Sequence, residues 1–84
     1  MRTFEKWDKL ENNNCKVIIN HKLFDEQVYE CEMLQTINDD HRIGIVMKGR
    51  ELFVNKNDLT NFLVCDNFAI VTDDMMAIVI VKKM

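Results

Sequence analysis

Residues 42–59 read RIGIVMKGRELFVNKNDL, and this stretch decides the fold class. In Arg42 to Met47 the side chains of Ile43, Ile45 and Met47 recur every second residue, which places them on one face of a strand. Lys48-Gly49-Arg50 then fits a tight hairpin, with glycine supplying the positive φ that such turns require. Glu51 to Asn55 returns as the partner strand. Lys56-Asn57-Asp58-Leu59 fits a single helical or 3₁₀ turn, because Asn and Asp favour local side-chain bonds over a strand ladder. A period of two, a two-way chain and a glycine between them specify antiparallel β structure.

The same period extends in both directions. Upstream, Cys15 to Asn20 makes a first strand, and His21 to Glu26 a polar turn from which Leu23 and Phe24 are expected to fold back on the core. Gln27 to Ile37 is expected as one long second strand, with Tyr29, Cys31, Met33 and Ile37 on one face and Glu30, Glu32 and Leu34 on the other. Asn38-Asp39-Asp40-His41 closes it with turn chemistry. Downstream, fifteen of the twenty residues from Phe62 to Val81 are hydrophobic, and the polar breaks at Asp66-Asn67 and Thr72-Asp73-Asp74 divide them into strands at Phe62–Cys65, Phe68–Val71 and Met75–Lys82. The last of these shows no alternation, so both of its faces should be covered, as in a central strand or one at a subunit interface. Ahead of the sheet, Thr3 is expected to cap a short helix over about residues 3–11, with Phe4, Trp7 and Leu10 on one face and Asn12-Asn13-Asn14 ending it. The expected fold is mostly β: a short N-terminal α-helix, then a strongly bent antiparallel sheet or small barrel of about six to seven strands.

Eighty-four residues make one domain, 1–84, with its β-rich part over 15–83. The formal net charge of −3 has the wrong sign for holding nucleic acid through phosphate neutralisation alone. Met1 to Lys6 lead into no apolar signal-peptide core, and the longest apolar run, Met75 to Val81, is far below the roughly 20 residues a membrane helix needs. A cytoplasmic protein is the expectation. Cys15, Cys31 and Cys65 are odd in number and form no Cys-x-x-Cys pair, so each is read as a small buried thiol. His21 and His41 have no ligand partner at close spacing, and no metal site is expected.

Catalytic sets are missing as well. Gly44 and Gly49 are the only glycines and neither opens a helix, so there is no phosphate-binding loop. Serine does not occur, which removes the Ser-His-Asp arrangement, and strand-interior cysteines are poor thiolate nucleophiles. The pairs Asp39-Asp40 and Asp73-Asp74 lack the spacing of a calcium loop and read as turns. No enzyme activity and no cofactor are expected. The basic residues Arg42, Lys48, Arg50 and Lys56 form one modest concentration at the ends of the third and fourth strands.

The order of a short helix, bent strands, the KGRE hairpin, the FVN strand and one turn at KNDL resembles the Sm-like small barrels of the SH3-like class, over roughly Thr3 to Val64. The glycine-rich first signature of that family is absent, and Phe68 to Lys83 has no counterpart in its minimal fold. The resemblance implies oligomers built by strand addition, and RNA contacts near the 3₁₀ turn at Asn55, Lys56 and Asn57, with Arg50 as a further basic contact.

Two functional expectations follow. The first is a non-enzymatic interaction or regulatory protein that binds another protein and forms homo-oligomers through Ala77, Ile78, Val79, Ile80 and Val81. Small size, few glycines, no proline and no catalytic set are shared with many short phage or mobile-element proteins that act by occupying another protein's surface. The alternative is an Sm-like RNA-binding protein. Neither involves a membrane.

Overall fold

A computed structural model describes residues 4–83. Its strands are β1 (Cys15–His21), β2 (Phe24–Cys31), β3 (Gln35–Asn38), β4 (Arg42–Met47), β5 (Arg50–Asn55), β6 (Asn61–Val64), β7 (Phe68–Thr72) and β8 (Met76–Lys82), preceded by a 3₁₀ helix at Glu5–Leu10 and interrupted by a 3₁₀ turn at Lys56–Asp58. They form a five-stranded sheet in the order β2-β1-β8-β7-β6 and a three-stranded sheet in the order β3-β4-β5. All pairings are antiparallel. The fold is mostly β, as the alternating pattern requires, but it is two sheets around one core and not a closed barrel.

The strand without alternation, β8, lies at the centre of the larger sheet, paired with β1 over Cys15↔Lys82 to His21↔Met76 and with β7 over Phe68↔Val81 to Thr72↔Ala77. Its inward residues Ile78 and Ile80 are 3% and 1% exposed. With Val17 and Ile19 of β1 and Val71 of β7, they meet Ile43, Ile45 and Met47 of β4. Trp7 and Leu10 plug one end of this core, and the buried indole Nε1 donates to the Gly44 carbonyl at 2.9 Å.

Four expectations are corrected. The N-terminal helix is 3₁₀ and not α: Phe4, Trp7 and Leu10 recur every three residues, which is the period of a 3₁₀ helix. Asn12 ends the segment at φ 66°, the left-handed conformation expected of asparagine; the proposed Thr3 cap lies outside the described residues. The long second strand is two strands in different sheets. The chain leaves β2 at Glu32-Met33-Leu34, and the corner is pinned by Asn12 N–H donating to Leu34 O at 2.8 Å and Leu34 N–H donating to Asn13 O at 3.0 Å. That break reverses the expected faces, so Leu34 is fully buried and Met33 is 61% exposed. Finally, Leu23 and Phe24 do not return to the core but stay exposed, because Lys22 and Leu23 form the tip of the β1–β2 hairpin and His21 pairs directly with Phe24. The strands number eight and not six or seven.

The two glycines do different work. Gly49 sits at φ 73° in the hairpin between β4 and β5, and a side chain there would face open space. At Gly44, a Cβ would lie 2.6 Å from the Leu52 carbonyl oxygen and 2.6 Å from Cδ1 of Phe53, which crosses over it. Gly49→Ala is expected to cost about 1 kcal/mol through backbone strain. Gly44→Ala should cost more, about 2–3 kcal/mol, because backbone and ring must both move. Urea denaturation of the two variants checks the order.

Candidate interaction surfaces

The register across the large sheet builds a surface that no single strand reveals. Val28 pairs with Ile18, Ile18 with Val79, Val79 with Ile70, and Ile70 with Leu63. Their neighbours in sequence, such as Val17, Ile78, Ile80 and Val71, point into the core, so these five side chains point the other way. They form one aliphatic row across all five strands on the outer face. Val28 and Leu63 at its ends are each 49% exposed, and the three between are half-buried. On one side runs a second row, Glu30, Lys16, Val81 and Phe68; on the other runs Asn20, Ala77, Thr72 and Asn61. The latter edge is polar, with Thr60 and Thr72 hydroxyls 2.6 Å apart and Asn61 Nδ2 donating to Thr72 Oγ1 at 3.1 Å. An apolar stripe rimmed by polar groups is the usual form of a protein-binding surface.

The residues expected to mediate self-association divide between two faces. Ala77, Val79 and Val81 lie on the outer face, whereas Ile78 and Ile80 are in the core. Ile18, Val28, Leu63 and Ile70 join the surface without having been singled out by the sequence. The signal for Ile18 is Val-Ile-Ile at 17–19, an apolar residue where alternation demands a polar one; the others need the cross-strand register.

At the opposite end of the small sheet, the second 3₁₀ turn gathers Asn55, Lys56 and Asn57. Asn55 caps the turn, its side-chain oxygen accepting from Asn57 N–H at 3.2 Å. Lys56 Nζ donates to the Asp39 carbonyl at 2.5 Å and lies 4.7 Å from the Phe4 ring centroid, beside a groove that Asp40 and Leu59 also line. Asp39 holds the preceding turn through Arg42; the Arg42 guanidinium keeps its carboxyl below the usual carboxylate range, helped by the backbone N–H groups of His41 and Arg42 and opposed by partial desolvation. Arg50 is not part of this cluster. It begins β5 while Asn55 ends it, and its guanidinium bonds to the Tyr29 hydroxyl on the large sheet.

Comparison of the chain with protein-family models, curated proteins and solved structures found no match. Among the described residues, no group of three His, Cys, Asp or Glu side chains is placed to hold a metal ion, and no helix is long and apolar enough to cross a membrane. Cys15 and Cys31 are buried and face each other across β1 and β2, while Cys65 is only half-buried, against the expectation that all three would be enclosed. Burial pushes the Cys15 thiol up, with Cys31 adding to the rise and Lys82 opposing it. Native protein treated with a thiol reagent is therefore expected to label first at Cys65, with Cys15 slower by about 100-fold or more because it needs local opening. Peptide mapping of the labelled thiols checks this.

Proposed function

We propose that this chain is a small non-enzymatic protein-binding module that self-associates through the outer face of its five-stranded sheet. The observation that carries the reading is the aliphatic row from Val28 to Leu63. Five strands spaced about 4.8 Å apart and about 20 Å of strand length make a face of roughly 500 Å². Two copies packed face to face would bury about 1,000 Å² in total, the area at which a specific interface becomes credible. A second copy is the occupant this favours, since two such sheets stack about 10 Å apart with their side chains interdigitated, as in a sandwich. The same packing would cover the exposed face of β8, meeting the demand of its unbroken apolar sequence.

Val79→Asp is expected to yield a folded monomer, because the new charge sits on the outer face. Ile78→Asp should instead unfold the chain, because it buries a charge in the core. Light scattering on a size-exclusion column, with circular dichroism on each variant, separates the two. A wild-type protein that is monomeric at high concentration, or a folded Val79→Asp variant of wild-type oligomeric mass, overturns self-association through this face.

A second reading, an Sm-like RNA binder, draws on Lys56 and Asn57 beside the Phe4 ring. It predicts that Lys56→Glu weakens oligouridylate binding and reduces its salt slope by about 1. Fluorescence titration at low salt checks it, and no binding by the unmodified chain would end it. The net negative charge, and the bonds that already occupy Asn55 and Lys56, favour the first reading.

A further inference from the structure

Among the described strands, four lie at sheet edges, and they differ in how far they are protected. The four-residue β3 lies against the N-terminal 3₁₀ segment, with Asn38 Nδ2 donating to Phe4 O at 3.0 Å and Thr36 N–H to Glu11 Oε1 at 3.2 Å. The β6 strand is equally short, and β5 has six residues. In contrast, β2 runs for eight residues, bonds in the sheet only to β1, and is exposed at every position from Phe24 to Val28. Its inner side opens on a groove of about 250 Å³ between the two sheets, lined by Ile19, Phe24, Leu52 and Met76 together with the polar Gln27 and Arg50.

We infer that the free edge of β2 accepts an extended segment of a partner protein as an added antiparallel strand, and that the segment alternates apolar with basic residues. This rests on the reading of the chain as a protein-binding module. An edge strand offers alternate N–H and C=O groups to whatever pairs with it, and the added side chains then fall by turns on its two faces. On the groove side they would meet Ile19, Phe24, Leu52 and Met76. On the outer side they would stand beside Glu30, which faces Lys16 across the β1–β2 pair, and Glu26, which alternation from Val28 places on the same side next to the register shift between β1 and β2. Glu32 continues the acidic run just past the strand. Opposite charges placed across a strand pair are favourable, and like charges are not. Glu30 already bonds with Lys83, so Glu26 is the more available carboxylate. A strand of alternating apolar and basic residues therefore matches both sides of the edge at once.

The test is a titration of the ¹⁵N-labelled full chain with an acetylated, amidated seven-residue peptide alternating valine and lysine, and with its valine–glutamate counterpart. Saturable shifts are expected on the amides of β2, together with slowed hydrogen exchange at those of its amides that do not bond to β1. The lysine peptide should bind at least tenfold more tightly than the glutamate peptide. Glu26→Lys with Glu30→Lys, both at exposed positions, should reverse the preference; Glu26→Lys alone should narrow it, and a dispersed spectrum will confirm that either variant is folded. No saturable binding at millimolar lysine peptide overturns the inference. So do shifts confined to Ile70 and Leu63 on the outer face, or a preference that the charge reversals leave unchanged. The native mass is measured separately, so failure here is distinct from failure of self-association.

Discussion

The structure depends on the pairing of its first and last strands. A strand such as β8, apolar at consecutive positions, is stable only with hydrogen-bonded neighbours on both edges and cover on its inner face. The β7 hairpin supplies one neighbour from nearby in sequence. The other is β1, brought from the far end of the chain and aligned over seven residue pairs. Closing so long a loop carries an entropic cost that only extensive pairing and burial offset. Ile78 and Ile80 meet that condition because β1 sets Val17 and Ile19 beside them at the bottom of the core.

The smaller sheet is the lid on that core, and its placement turns on a few contacts. Gly44 lets Phe53 cross over β4, and its backbone carbonyl accepts the Trp7 indole N–H, so one residue without a side chain links the hairpin to the N-terminal 3₁₀ segment. Phe4 and Trp7 both contact Phe62, with Phe4 edge-on at 4.9 Å between ring centroids. Lys9 reaches Asp66 at 2.6 Å beyond them. That pair raises the lysine pKa and lowers that of the aspartate, but it is exposed and screened, and the aromatic contacts carry the attachment. The seam on this side is thus closed by the 3₁₀ segment. The seam between β2 and β5 is crossed by the Arg50–Tyr29 contact and otherwise stays open.

This unequal closure explains why the candidate surfaces lie where they do. Three strands cannot cover five on both sides, so one face of the large sheet is core and the other meets solvent while still carrying Val28, Ile18, Val79, Ile70 and Leu63. The tip of the β1–β2 hairpin is likewise left uncovered, with Leu23 and Phe24 exposed. By contrast, the polar cluster at the 3₁₀ turn is already engaged in capping and turn bonds, and the distance along β5 keeps Arg50 apart from it.

Local sequence determined the β class through its period of two, the hairpin through Gly49, the 3₁₀ turn at Lys56–Asp58 through Asn and Asp, and the three C-terminal strands through the polar breaks between them, because each depends on local backbone chemistry that neighbouring residues display. It also marked β8 as apolar at consecutive positions, although the fold encloses only its inner face. Local pattern was silent where the chain changes sheets: Glu32-Met33-Leu34 reads as continuous strand, and only the bonds to Asn12 and Asn13 make it a corner. The outer face was hidden for the same reason. Val28 and Leu63 lie 35 residues apart in sequence, and they share a row only because four strand pairings set their register. Which apolar residues are core and which are surface was therefore decided by the tertiary structure, since a strand's pattern shows that it has two faces but not what lies against each.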